Sequence, residues 1–187
     1  MGAWSCATTR RGGESTSDLL HLNIGCGPWV LPGYVNLDLQ TYSEWASAPP
    51  GATMLCDVRQ GLPFPDGTAA SILAEQFLEH LSLPEMPPFL DECRRVLCPG
   101  GRLQLTFPDV AAIAEIAARG EQDFVSEGEG CIVPGVPPGL CVLNHVATGW
   151  GHKSILTLGT VRPMVRKRFE VLWACVNGTN ALVIARR

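Results

Sequence analysis

The chain has 187 residues, of which 46% are hydrophobic and 17% charged, and its formal net charge is −4. That length suits one domain with a substantial core, and the composition excludes a disordered polymer. An acidic balance argues against a broad phosphate-binding surface, so no nucleic-acid partner is expected, and no apolar run is long enough for a membrane span.

The first seventeen residues, rich in Gly, Ser, Thr and Arg, read as a mobile arm (1–17) ahead of a single domain (18–187). Met1-Gly2 begins like a myristoylation signal, but Cys6 stands where Ser or Thr is wanted. No signal-peptide core is present, and a cytoplasmic location is expected. The eight cysteines are scattered singly, with no Cys-x-x-Cys and no Cys/His cluster to complete a zinc site. Reduced, mostly buried thiols and no metal site are therefore expected.

The apolar run Leu19 to Ile24 reads as a first strand closed by Gly25-Cys26-Gly27, and Tyr34 to Asp38 as a second, its acid eleven residues beyond Gly27. Glycines at a strand end let backbone approach a ligand, and a carboxylate at the tip of the next strand can accept hydrogen bonds from both hydroxyls of a ribose. A dinucleotide site would want a third glycine, a helix for the pyrophosphate and an acid about 20 residues on. Here Val30 takes the glycine position, Pro28 to Gly33 is too short for that helix, and the acid comes early. The spacing favours a nucleoside cofactor without a pyrophosphate, such as S-adenosylmethionine. A plain strand-to-loop turn remains the alternative for the glycines alone.

Farther along, Ser47 to Gly51 is loop and Ala52 to Cys56 a short third strand ending at Asp57. Gly61 to Gly67 is turn-rich, and Ala69 to Ala74 is a fourth strand. Phe89, Leu90, Cys93, Val96 and Leu97 recur at helical spacing, predicting an amphipathic helix from near Pro88 that Pro99-Gly100-Gly101 stops. A fifth strand, Arg102 to Phe107, leads to Pro108-Asp109, which caps an Ala-rich helix ending at Arg119. Gly120 to Gly151 shows no periodicity, and Arg166-Lys167-Arg168 reads as a solvated face. Phe169 to Cys175 and Ala181 to Ala185 predict a closing hairpin with Asn177-Gly178 in its turn. The elements describe an α/β fold: a Rossmann-like open sheet, mostly parallel with a C-terminal antiparallel hairpin, whose ligands sit at the carboxyl ends of the strands.

Six segments in order resemble the motifs of class I S-adenosylmethionine-dependent methyltransferases: Leu22 to Gly27, Asn36 to Asp38, Cys56 to Val58, Leu62 to Asp66, Ala74 to Leu81, and Arg94 to Gly101. The likeness is closest to a small methyltransferase-type-11-like branch with an abbreviated first crossover, and Trp150-Gly151-His152-Lys153 is similar to it too. The resemblance implies S-adenosyl-L-methionine as cofactor. It implies that Asn23, Gly25, Cys26 and Gly27 hold the methionine part, Asp38 with Leu39 the ribose, and Asp57 with Val58 the adenine edge. Glu75 and Gln76 would lie under the sulfonium end. The chain departs from the pattern at Asn23 and Ala70, where acids are common, and lacks a Gly-Phe before its hairpin.

Taken as residues alone, Asp38 could cap a loop and Asp57 an Asx turn. Methyl transfer depends mainly on alignment, and a base is needed only where the acceptor must lose a proton. His80, Asp109, His145 and His152 are the candidates, whereas His21 at the start of the first strand is expected to be structural. The expected activity is methyl transfer to a small-molecule or sugar-containing acceptor, with Gly120 to Gly151 forming the acceptor pocket. The alternatives are a cofactor-binding but non-catalytic subunit and an NAD-dependent oxidoreductase.

Overall fold

The computed structural model describes residues 19–40, 53–119 and 138–187. The expected arm over 1–17, the loop through 47–51 and the stretch 120–137 lie outside the described residues. The described strands are β1 (Leu20–Ile24), β2 (Val35–Asp38), β3 (Thr53–Leu55), β4 (Ala69–Glu75), β5 (Leu97–Pro108), β6 (Glu170–Asn177) and β7 (Asn180–Arg186). They form one sheet in the order β3-β2-β1-β4-β5-β7-β6, in which β7 runs antiparallel to both neighbours and the other pairs are parallel. The expected open, mostly parallel α/β sheet with a terminal hairpin is the observed fold.

The core of the sheet is Leu22, Ile24, Leu37, Ile72, Leu103, Leu105 and Phe107, every one buried. Helix α1 (Met86–Val96) covers it with Met86, Phe89, Leu90, Cys93 and Val96. That helix starts before Pro88, because a proline in the first helical turn gives up an N–H that has no intrahelical partner anyway. Pro99-Gly100-Gly101 does not stop a helix but lies inside β5, where the register to β4 shifts between Ala69 and Ser71. Gly100, at φ +80°, supplies the left-handed residue of that irregularity.

Two helices occupy stretches in which the sequence shows no helical signal. Helix α2 (Val110–Arg119) is as expected, but α3 (Pro138–Thr148) fills the end of the segment read as irregular, and α4 (Leu158–Arg166) follows it. Apolar residues are spread around α3 rather than striped, and the helix forms against α2. Pro163 disguises α4, which starts from a capping box between Thr157 and Thr160. Arg168 is not merely solvated either: it forms a two-pronged ion pair with Asp91 of α1, at 2.6 and 2.9 Å.

The first crossover is short because side chains do what a helix otherwise would. Asn23 on β1 donates to the Trp29 carbonyl (3.0 Å) and to Asn36 Oδ1 on β2 (2.9 Å). Asn36 in turn accepts from the Leu31 amide and donates to the Leu31 and Tyr34 carbonyls. Two buried amides thus satisfy the turn's backbone and seat β2 beside β1 with no intervening helix.

Candidate active site

At the carboxyl ends of β1, β2 and β4 the chain encloses a cavity of about 870 Å³. Asn23, Gly25, Cys26, Gly27, Asp38, Leu39, Asp57, Val58, Glu75 and Gln76 all line it, so the structure gathers all ten cofactor candidates. Trp150, Lys153, Phe77 and His80 join them from other parts of the chain.

The loop after β1 is built for close approach. The Gly25 and Cys26 amides both donate to the Leu37 carbonyl, at 2.8 and 3.1 Å, and the Gly27 amide donates to Asp38 Oδ2 at 2.9 Å. Gly25, at φ +65°, has no room for a side chain, since a Cβ would stand 2.3 Å from Phe77 Cδ2. Gly27, at φ +52°, faces open space within which a Cβ would meet nothing for 4 Å. A carboxylate has about four acceptor positions, so Asp38, with one good bond to Gly27 and a 3.4 Å contact from the Gln40 amide, keeps capacity for two hydroxyls.

Other candidates are more committed. Both Asn23 amide hydrogens serve the crossover, leaving Oδ1 for a ligand. Asp57 caps a single 3-10 turn and accepts from Arg59 Nε and Nη2 at 2.7 Å each, which holds its carboxyl down at about 2. The Asx-turn reading of Asp57 is thus met alongside its place on the cavity wall. Gln76 (φ +47°) and Trp150 (φ +50°) are the two non-glycine residues at positive φ among the described residues, and both border the cavity. Such backbone strain gathers at binding sites.

Of the four base candidates, His80 lines the cavity. Burial first, then His152, lowers its pKa. His152 lies behind it, ring centroids 4.9 Å apart, and His145 packs edge-on against Trp150 at 4.0 Å. Asp109 is removed from the cavity by its own hydrogen bonds: Oδ1 accepts from the Ala112 amide (3.0 Å) and Oδ2 from Leu158 N (2.6 Å). It caps α2, as the sequence predicts, and also ties α4 to it, which the sequence does not reveal.

Sequence reasoning missed Glu79 as a site residue. It is 2% exposed, neither carboxylate oxygen has a hydrogen-bond partner, and burial raises its pKa to about 7. The Glu79-His80 pair was visible in the chain, but His152, which meets it, comes more than seventy residues later.

Residues 33–105 match the profile of the methyltransferase domain family. The match spans less than half of the chain. Solved structures similar to this chain share its fold. A Mesorhizobium loti S-adenosylmethionine-dependent methyltransferase superposes with a TM-score of 0.61 at 16% identity, covering 91% of each chain. One from Methanosarcina mazei gives 0.60 at 19%, covering 91% of this chain and 92% of that one. One from Aquifex aeolicus gives 0.54 at 15%, covering 90% and 82%. No curated protein sequence matches. The residues present fit S-adenosylmethionine, the cofactor by which those solved proteins are named: a glycine cradle open at Gly27 and a ribose-competent carboxylate at Asp38 border one cavity. Among the described residues no helix is long and apolar enough to cross a membrane.

Proposed function

We propose that this chain is an S-adenosylmethionine-dependent methyltransferase that holds its cofactor in the cavity at the ends of β1, β2 and β4 and acts on a small-molecule or sugar-containing acceptor. The supporting observation is that one cavity is lined by all ten residues that the motifs select. In this reading the Gly25 to Gly27 loop receives the methionine part and Asp38 accepts from the ribose hydroxyls. Because the Asp57 carboxylate is engaged by Arg59, the adenine edge falls to the backbone at Val58. Glu75 and Gln76 lie under the sulfonium end. When bound, the cofactor supplies a methyl group on a positively charged sulfur, already activated toward a nucleophile.

The protein's own contribution is alignment and exclusion of water. Trp150 and Lys153 offer the acceptor a wall with one aromatic face and one cation, chemistry suited to a sugar ring or a small polar molecule. For an acceptor that must lose a proton, His80 is the candidate base that reaches the cavity. The pocket expected from Gly120 to Gly151 is supported at its end, where Trp150 borders the cavity, while 120–137 lies outside the described residues.

Calorimetry with S-adenosylhomocysteine tests the cofactor site. Asp38→Ala should weaken binding by about 1.5–3 kcal/mol, the range for hydrogen bonds to a charged group. Unchanged affinity removes Asp38 from the site, and NAD binding more tightly than adenosine overturns the reading. A methyl-transfer screen over small molecules, glycans, peptides and nucleic acids tests the acceptor. Transfer confined to the last two classes would refute the acceptor assignment and leave cofactor binding untouched.

A further inference from the structure

We propose that Glu79, His80 and His152 form a binding site for one divalent transition-metal ion of the zinc class. Each offers one ligand atom, and the three atoms lie within 4.8 Å of one another. Around an ion at zinc's usual bond lengths the same atoms would be about 3.3 Å apart, so modest side-chain movement closes the site. Two imidazoles and one carboxylate are the donor set of open zinc and related sites, whereas magnesium and calcium prefer all-oxygen shells.

The second observation is Glu79 itself. A carboxylate that is 98% shielded from water and has no hydrogen-bond partner on either oxygen is costly unless a cation completes it. Lys153 does not do so, since its ammonium lies 3.9 Å from Glu85.

The third is the state of the two rings. His152 Nδ1 lies 2.6 Å from the Val146 carbonyl, which can only accept, so Nδ1 carries the proton and Nε2 presents a lone pair. The Gly151 backbone lies close enough to the His80 ring to favour its charged form, against the larger effect of burial. Metal-bound histidines almost always have the far ring nitrogen fixed as that of His152 is.

The backbone is arranged to bring the three together. Helix α3 ends at Thr148, and Trp150 (φ +50°) and Gly151 (φ +76°) turn the chain back in two consecutive left-handed residues. The Lys153 and Ser154 amides then both donate to the Glu79 carbonyl, at 2.9 and 3.1 Å, and Ser154 Oγ donates to the Leu81 carbonyl. The strain at Trp150 is thus spent at the turn that delivers His152 to the Glu79-His80 pair. Because His80 also lines the cavity, a bound ion would stand at its wall, within reach of an acceptor oxygen or nitrogen. The site rests on these three side chains and stands whichever acceptor is used.

The test is titration of chelator-dialysed full-length protein with cobalt(II), followed by visible absorption, and competition with zinc. The expected result is one equivalent bound with the spectrum of a nitrogen and oxygen site, displaced by zinc. Glu79→Gln, His152→Ala and the milder His152→Asn should each lower affinity at least tenfold while circular dichroism reports a native fold. Zinc should raise the melting temperature of the parent protein and not of the variants. Failure to saturate, sulfur-to-cobalt charge-transfer bands from cysteine ligation, or equal affinity in folded variants would each overturn the site.

Discussion

Gly25→Ala and Gly27→Ala are chemically the same substitution, one added methyl group in the same loop, yet they should differ sharply. Both residues sit at positive φ, +65° and +52°, where an alanine costs about 1–2 kcal/mol more than in the right-handed region. Part of that is recovered because alanine reduces the freedom of the unfolded chain, by about 0.4–1 kcal/mol. For Gly27 nothing else is added, since its Cβ would meet no atom within 4 Å, and a net loss of about 1 kcal/mol or less follows. At Gly25 the new Cβ would stand 2.3, 2.9 and 3.1 Å from three atoms of Phe77. Phe77 cannot simply retreat, because its ring is packed against Phe89 with centroids 5.3 Å apart and Phe89 belongs to the core. Overpacking of that kind adds about 1–3 kcal/mol, for a total of about 2–4 kcal/mol at Gly25. Urea denaturation of both variants measures the difference, and the double variant Gly25→Ala with Phe77→Ala should show favourable coupling, because removing the ring relieves the clash. Equal destabilisation of the two single variants, or strict additivity in the double, would refute the steric argument. S-adenosylhomocysteine affinity adds a separate readout: Gly27→Ala, which fills the open side of the cradle, should lose more in binding than in stability.

Asp109→Ala orphans two backbone donors, those of Ala112 and Leu158, and should cost about 2–4 kcal/mol of stability, with Asp109→Asn intermediate in denaturant titration. A folded Asp109→Ala with native stability and no methyl transfer would instead restore Asp109 as a base. Asp57 should titrate at about 2 by carboxyl NMR because Arg59 hydrogen-bonds its charged form, and Arg59→Ala should return it toward the usual range. The sign follows: a depressed carboxyl contributes stability above its ordinary pKa of 3.8 and loses it as pH falls toward 2. An unmoved midpoint in Arg59→Ala would show that another group holds Asp57.

Period-two alternation from Leu103 to Phe107, the glycines after Ile24 and the acid at Asp38 are local facts. A strand, a turn and a cap each follow from neighbouring residues, so the chain alone determined the sheet, the α1 and α2 helices, the closing hairpin and the strand ends that line the cavity. Helices α3 and α4 were not legible because their stability comes from what they pack on, and Pro163 contradicts the local rule that would have revealed α4. Asp57 and Asp109 look alike in sequence, each an acid after an apolar strand. Tertiary structure decided that Asp57 borders the cavity while Arg59 occupies its oxygens, and that Asp109 turns both of its oxygens to α2 and α4. Glu79, His80 and His152 show the limit most plainly. No spacing rule joins residues more than seventy positions apart, and only the return of the chain through Trp150 and Gly151, pinned by two amides on the Glu79 carbonyl, places three ligand atoms around one point.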